Sequence, residues 1–548
     1  MARLGAIVCL VSALLVVGSC ATAVRATGWN SAAIVERAGL PVFVVNGRPF
    51  FVYGAAFFYE RLPRATWETS LRSLRRDLHV NVLDLYVPWN WHELADGEFD
   101  FDGHTNPRRD LHEVLRLAHE LGFKIVLRPG PVVRNEWRNG GYPAWLLQRP
   151  EYEMPLRDIL EGRYPATATL QNARSDDAAA TWMRNAVHLR YAERWLTRVL
   201  HEVEPFSGDV LAVALDDDQG AYIDNQTWPA PHLRAYLEWL RGVVHRATSV
   251  ALPVFINTYE MKVTASSPVW AMGNWYQSDA FAIGEHDRSQ LEFSSGLLHT
   301  RPHQPMMMSE FQAGWLQQPE DVLPQAADPS NTLLAMHTLL GLGVRGIINF
   351  PAQDTYDPAG WEAPFANGFY AWDAALGYDA ATSEPAVAPD TTTNSIARAG
   401  ASRAVPTAYV GQLVETFGPL LADANVLPDA AIAYLTSAFE PARLENATIA
   451  AIADATIAAQ RDCRSAGLTC RLVDLRYADA AQLARYPIVL LPKLTAKTGP
   501  FDPHVPTQRG RAGSIGVDQV AGMVLVMGEA GQQLHQQIDP VDVAAGQV

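Results

Sequence analysis

At 548 residues the chain exceeds one ordinary domain, and at roughly 150 residues per domain it would hold three or four units, fewer if one is a large barrel. Hydrophobic residues at 48% and charged residues at 19% provide for a sizeable core and exclude broad disorder. A net charge of −16, from 43 basic and 59 acidic side chains, excludes the basic footprint that nucleic acid or an anionic membrane needs, and suits neutral or cationic ligands.

The N-terminus reads as a targeting segment. Arg3 precedes an apolar run over 4–17, and Ala21-Thr22-Ala23 has the small-residue spacing that signal peptidase reads, so residues 1–23 are expected to be a signal peptide of a secreted or periplasmic protein. The run falls short of the about 20 residues that a membrane-spanning helix needs. Val17-Gly18-Ser19-Cys20 loosely resembles a lipobox, which leaves lipid anchoring at Cys20 as an alternative, and an uncleaved buried helix as another. No later stretch is long and apolar enough for a transmembrane segment. Cleavage would leave only Cys463 and Cys470, which could pair in an oxidising compartment in a structural role; with no His near them, a zinc site is not expected.

From about residue 40 to 390, short β-rich runs alternate with helical patterns, the signature of βα units around a parallel sheet. Strands are expected at 52–58, 80–87, 124–130, 210–218, 253–259, 306–312 and 344–350, with a weaker candidate at 281–286. Their continuous apolar character suits burial on both faces. Thr66 is placed to cap a helix whose Trp67, Leu71, Leu74 and Leu78 recur at helical spacing, and Asp110 with Glu113 reads as a capping box on a helix that Gly122 stops. Eight strands, mostly followed by helices, predict an α/β protein with a (β/α)8 TIM barrel over 29–390. A linker rich in Ala, Thr, Pro and Ser follows, then a smaller α/β domain over 405–500. Residues 501–548 form a tail of unknown structure with one apolar run at 520–527. No phosphate-cradling Gly-rich loop joins the elements of the second domain, so no chemistry is assigned to it, and no cofactor or metal is expected.

Two expected strand ends carry the chemistry. One is Val213-Ala214-Leu215-Asp216-Asp217-Asp218-Gln219-Gly220, at the fourth strand, and the other is Met307-Met308-Ser309-Glu310-Phe311-Gln312-Ala313-Gly314-Trp315, at the seventh. Both would project into the mouth of the barrel. Two facing carboxylates are what glycoside hydrolysis needs, one to protonate the leaving oxygen and one to attack the anomeric carbon. Each carboxylate taken singly could equally be a helix cap or an ion-pair partner. Three consecutive aspartates could hold a hard cation, and Asp-x-Asp at a strand end can suggest a nucleotide-sugar transferase.

Several longer motifs add a resemblance. Asn46-Gly47-Arg48-Pro49-Phe50-Phe51, Tyr86-Val87-Pro88-Trp89-Asn90-Trp91-His92-Glu93, Leu127-Arg128-Pro129-Gly130-Pro131 and Glu136-Trp137-Arg138-Asn139-Gly140-Gly141-Tyr142-Pro143-Ala144-Trp145-Leu146 resemble glycoside hydrolase family 35, whose main activity is β-galactosidase. The region after the barrel resembles, more weakly, the flavodoxin-like, glutamine-amidotransferase-like α/β domain of related β-galactosidases. The resemblance implies a retaining exo-β-glycosidase acting on terminal β-galactosides of oligo- or polysaccharides. Glu310 would be the nucleophile and Asp218 the acid/base. Tyr86, Asn135 and Glu136 would bind sugar hydroxyls, and Trp315 and Tyr378 would wall the pocket. Oligomerisation is possible.

The departures from the family are as telling. The acid/base position holds Asp218 where the family has Glu, which shortens the arm by one methylene, about 1.5 Å. Carboxyl separations of about 5–5.5 Å mark retaining enzymes, so the shorter arm needs backbone that has moved inward. The family's Asn beside the sugar 2-hydroxyl is Asp217 here. A carboxylate matches an ammonium better than a hydroxyl, which suggests an alternative preference for 2-amino sugars, as in the exo-β-glucosaminidases that resemble this family. Otherwise a neighbour such as Arg134 would neutralise Asp217. Because two acid-site positions differ, a carbohydrate-binding protein that has lost catalysis is the rival from another class.

Overall fold

A computed structural model describes residues 28–29, 32–133, 137–149, 185–217, 230–258, 267–275, 285–312, 329–351, 353–357, 368–370, 374–379, 384–386, 400–434, 446–475, 477–478, 480–492, 516–520 and 523–527. The expected signal peptide, with Cys20, lies outside them. Among the described residues no helix is long and apolar enough to cross a membrane.

Eight strands close into a parallel barrel: β1 Val52–Ala56, β2 Val82–Tyr86, β3 Lys124–Arg128, β4 Val210–Ala214, β5 Val254–Thr258, β6 Trp270–Trp275, β7 Met307–Gln312 and β8 Gly346–Phe350. Each pairs with its neighbours in chain order, and β8 returns to β1 through Gly346↔Val52. The period of two along a strand divides the core. Val52, Val82, Val126, Ala212, Phe255, Met272, Met307 and Ile348 fill the inside. Their alternates Tyr53, Leu83, Leu127, Val213, Ile256, Ala271, Met308 and Ile347 pack outward against the helices.

The helices around the barrel include α1 Trp67–Arg76, α2 Leu111–Glu120, α3 Ala186–Val203, α4 Ala230–Thr248, α5 Glu285–His299 and α6 Pro329–Gly341. Helix α1 buries Trp67, Leu71 and Leu74 as the spacing predicts. Its expected cap differs, because the Thr66 hydroxyl donates to Pro63 O (2.8 Å) and makes no cap bond. On α2 the Asp110 carboxylate does accept from Glu113 N at 3.0 Å, and Gly122 takes φ +76° past the end.

The sixth strand corrects the sequence reading. It is Trp270–Trp275, while the weaker candidate at 281–286 runs into α5 at Glu285; residues 281–284 lie outside the described ones. The remaining seven strands fall inside the expected ranges.

Past the barrel, helix α7 Gly400–Asp423 packs on α6 and on the small N-terminal sheet, so the expected boundary at 405 falls inside a helix that clasps the barrel. A second sheet has three parallel strands, β9 Ala430–Tyr434, β10 Cys470–Asp474 and β11 Ile488–Pro492. It gains an antiparallel hairpin, β12 Gly516–Val520 and β13 Met523–Met527, from the stretch that the sequence left unplaced. Its helix α8 Asn446–Ser465 and the strands share a core with Phe293 and Leu297 of α5, which joins the sheet to the barrel. Cys463 and Cys470 form a disulfide, the pairing that the sequence left open, tying the end of α8 to the start of β10.

Candidate active site

Strand alternation explains which side chains reach the barrel mouth. On β2, Asp84 and Tyr86 share the inward face of Val82, and on β3 Arg128 shares that of Val126. Strand β7 needs an interruption. Met308 and Phe311 both face the helices, three positions apart, because the register shifts between them. That shift turns Glu310 inward, where an unbroken strand would have sent it outward with Met308.

The Glu310 carboxylate, 3% exposed, is held by three donors on one oxygen. Tyr86 Oη donates to Oε1 at 2.7 Å, Asn257 Nδ2 at 2.7 Å and Arg128 Nη1 at 3.1 Å. Arg128 is the hub. Its Nε donates to both oxygens of Asp84 at 2.9 Å, its Nη1 also reaches Asp217 Oδ1 at 3.2 Å, and its Nη2 donates to Ser309 O at 3.0 Å. The guanidinium also lies 4.7 Å from the centre of the Tyr86 ring.

Three carboxylates therefore surround one buried cation. Burial raises Asp84 to about 6, against the pull of Arg128 and with a further push from Asp217. Burial opposes the charge on Arg128, yet Asp84 and its other anionic neighbours hold its pKa well above the ordinary value. Burial also raises the Tyr86 phenol, so it stays a proton donor to Glu310. An aromatic wall adjoins the site: Phe58, Tyr86 and Phe350 meet with ring centres 5.5–6.1 Å apart, and Trp91 lies 5.9 Å from Trp137.

At the end of β4 the two described aspartates diverge. Asp216 takes φ +60°, and its Oδ1 accepts from Val132 N at 3.0 Å, so it secures the loop after β3. Tyr236 hydrogen-bonds to its carboxyl and meets His188 Nε2 at 3.0 Å. Burial pushes Asp216 up to about 7 and lowers His188 to about 3, which keeps that ring neutral. Asp217 turns the other way, toward Arg128.

Between the ordinary carboxylate value of 3.8 and about 7, Asp216 is protonated in the folded state and ionised in the unfolded one. Unfolding then releases a proton, so this group lowers stability as pH rises through that window. Asp216→Asn removes the titration and keeps an acceptor for Val132 N. Its urea midpoint should gain on wild type from about pH 4.5 to about pH 7; parallel profiles for the two proteins would refute the assignment.

Of the site residues expected from the sequence, Tyr86, Asp217 and Glu310 come together around Arg128. Asp218, Asn135, Glu136 and Trp315 lie outside the described residues. Tyr378 sits in the short strand Gly377–Asp379, and its side chain lies outside them too. Asp217 accepts from Arg128; Arg134, the alternative neighbour, is outside the described residues. The sequence reading missed Asp84, Arg128 and Asn257. Their signal was a polar residue near the C-terminal end of an apolar run, on the strand's inward face.

Residues 42–161 match the family model described as Glycosyl hydrolases family 35. Over this stretch the chain resembles that family. The exo-beta-D-glucosaminidase of Pyrococcus horikoshii is 36% identical over 182 residues, covering 32% of this chain and 22% of that protein. A beta-galactosidase from Mus musculus is 27% identical over 282 residues, covering 50% of this chain and 36% of that protein. The chain thus spans well under half the length of these relatives. Crystal structures of beta-galactosidases from Marinomonas ef1 and Rahnella sp. R3 share the fold, with TM-scores of 0.51 and 0.52 at 13% identity. They cover 81% and 82% of this chain and 72% and 68% of their own.

Proposed function

We propose that the protein is a retaining exo-β-glycosidase that removes terminal β-galactosyl units from oligo- or polysaccharides. The observation that carries this reading is the Glu310 carboxylate, oriented by Tyr86, Asn257 and Arg128 at the mouth of a parallel barrel. In this reading Glu310 attacks the anomeric carbon as the bond to the leaving oxygen breaks, and Asp218 gives its proton to that oxygen. A water then attacks the glycosyl-enzyme ester, gives its proton to Asp218 and frees Glu310. Arg128 sets its positive charge against Glu310, and Asn135, Glu136, Trp315 and Tyr378 bind the sugar. The same reading divides the chain into an exported leader over 1–23, the catalytic barrel, and a flavodoxin-like accessory domain.

A specific observation favours a second sugar. Asp217 places a carboxylate near Glu310 where the family has Asn, and the Pyrococcus relative bears the name of a glucosaminidase. A 2-ammonium would meet that carboxylate as a charge-assisted partner. Purified protein should be offered nitrophenyl β-galactoside and nitrophenyl β-glucosaminide under the same conditions. Faster galactoside turnover supports the first reading, and faster glucosaminide turnover replaces it with the second. Turnover of neither, with sugar binding retained, would mean a lectin-like protein and would refute the enzyme reading.

A further inference from the structure

On the outer flank of the barrel, away from Glu310, helices α5 and α6 meet α8 and the start of β10 around a cleft of about 320 Å³. That volume lies within the range of small-molecule sites, about 300–1,000 Å³. Three features of the lining point to a ligand. Arg288 of α5 donates to Glu292 Oε1 at 3.1 Å, and Arg464 of α8 donates to Glu292 Oε2, so two guanidiniums share one carboxylate and their group carries a net positive charge. Gln460 is 7% exposed and lines the cleft, yet its amide oxygen has no hydrogen-bond partner among the described residues. A buried acceptor left unpaired pays its full desolvation penalty, which a hydroxyl donor would remove. Finally, Leu334, Leu342 and Leu468 supply an apolar wall of the kind that packs against a sugar ring's C–H face.

The cleft is also organised in advance. Gln460 and Arg464 stand four residues apart on one face of α8, and the Cys463–Cys470 disulfide pins that last turn. Burial lowers the Arg464 pKa.

We propose that this cleft binds a small anionic polyol, with its carboxylate or phosphate on Arg288 and Arg464 and a hydroxyl donating to Gln460 Oε1. A sugar acid and a sugar phosphate share that chemistry, and the two arms of the test distinguish them. The full chain is titrated calorimetrically with glucuronate and with glucose 6-phosphate, alongside the Gln460→Leu and Arg288→Gln variants. At least one anion should bind with a Kd of about 1 mM or tighter, and each variant should weaken it at least about tenfold. The tighter of the two probes names the anion class. Hydrolysis of nitrophenyl glycosides should be unchanged in both variants, so the fate of this site is independent of the catalytic reading. Thermal unfolding curves identify any variant that fails to fold, and the other then stands for the site. The absence of saturable binding by wild type, or equal binding by wild type and a folded variant, would overturn the proposal.

Discussion

Replacing Glu310 by Gln should lower kcat on the better nitrophenyl glycoside by on the order of 10⁴-fold or more, the scale seen when a nucleophile is removed. A carboxamide is too poor a nucleophile to open the glycosidic bond, whereas its carbonyl oxygen still accepts from Tyr86, Asn257 and Arg128. Binding and folding should therefore persist while chemistry stops. The substitution also removes one of three carboxylates around a single guanidinium, so the urea midpoint should hold or rise. This combination separates the nucleophile from a merely structural carboxylate, whose loss would lower stability and leave turnover largely intact. Retention of kcat within about tenfold of wild type, in a protein that hydrolyses the substrate, would remove Glu310 from the mechanism.

The strand pattern carried the barrel because a strand buried on both faces must be apolar throughout, and seven such runs were visible. The sixth strand was not, for two physical reasons. Gly273 interrupts it where a Cβ would come within 2.5 Å of Leu298 Cδ1, and Ser267 and Pro268 in front of it read as loop. The rival candidate ran into α5, which is apolar on two sides: Leu291 and Leu298 face the barrel core, and Phe293 and Leu297 face the second sheet. The expected strands were also too long at their C-terminal ends, since residues 129–130 and 215–217 have left the ladder to form the site's loops.

Within the site, Glu310 and Asp217 stood out as acids at the ends of apolar runs. Asp84 and Arg128 did not, because a charge inside or at the tip of a run reads as a boundary. Only the closed barrel shows that Arg128 answers Asp84, Asp217 and Glu310 at once. The register shift that turns Glu310 inward is equally silent in composition, since it depends on how β7 pairs with β8.

Arg128→Met should be the most damaging change to the fold of the site. The guanidinium is fully buried and satisfies Asp84 with its Nε, Asp217 and Glu310 with Nη1, and a backbone carbonyl with Nη2. Methionine fills the volume but leaves three buried carboxylates without that cation, and breaking a buried pair by removing one partner typically costs about 3–5 kcal/mol. The cost should depend on pH. Asp84 already sits near 6 with Arg128 lowering it, so the variant must push it higher still. An acid whose folded pKa exceeds its unfolded value loses stability as pH rises through the interval between them; wild type stops losing it at about pH 6, so the deficit should widen as pH rises above about 6. Asp84→Asn in the Arg128→Met background should recover part of the loss, because it removes one of the stranded charges. Arg128→Lys should fall between, keeping the charge without the planar fork that serves several acceptors. In each Arg128→Met variant that folds, the acid limb of the kcat profile should move to higher pH, since Glu310 attacks only when ionised and has lost the cation that favours that form. Urea midpoints across that pH range decide the matter: a Met variant as stable as wild type, or a deficit that stays flat with pH, would mean that the three carboxylates do not depend on Arg128 for their charge.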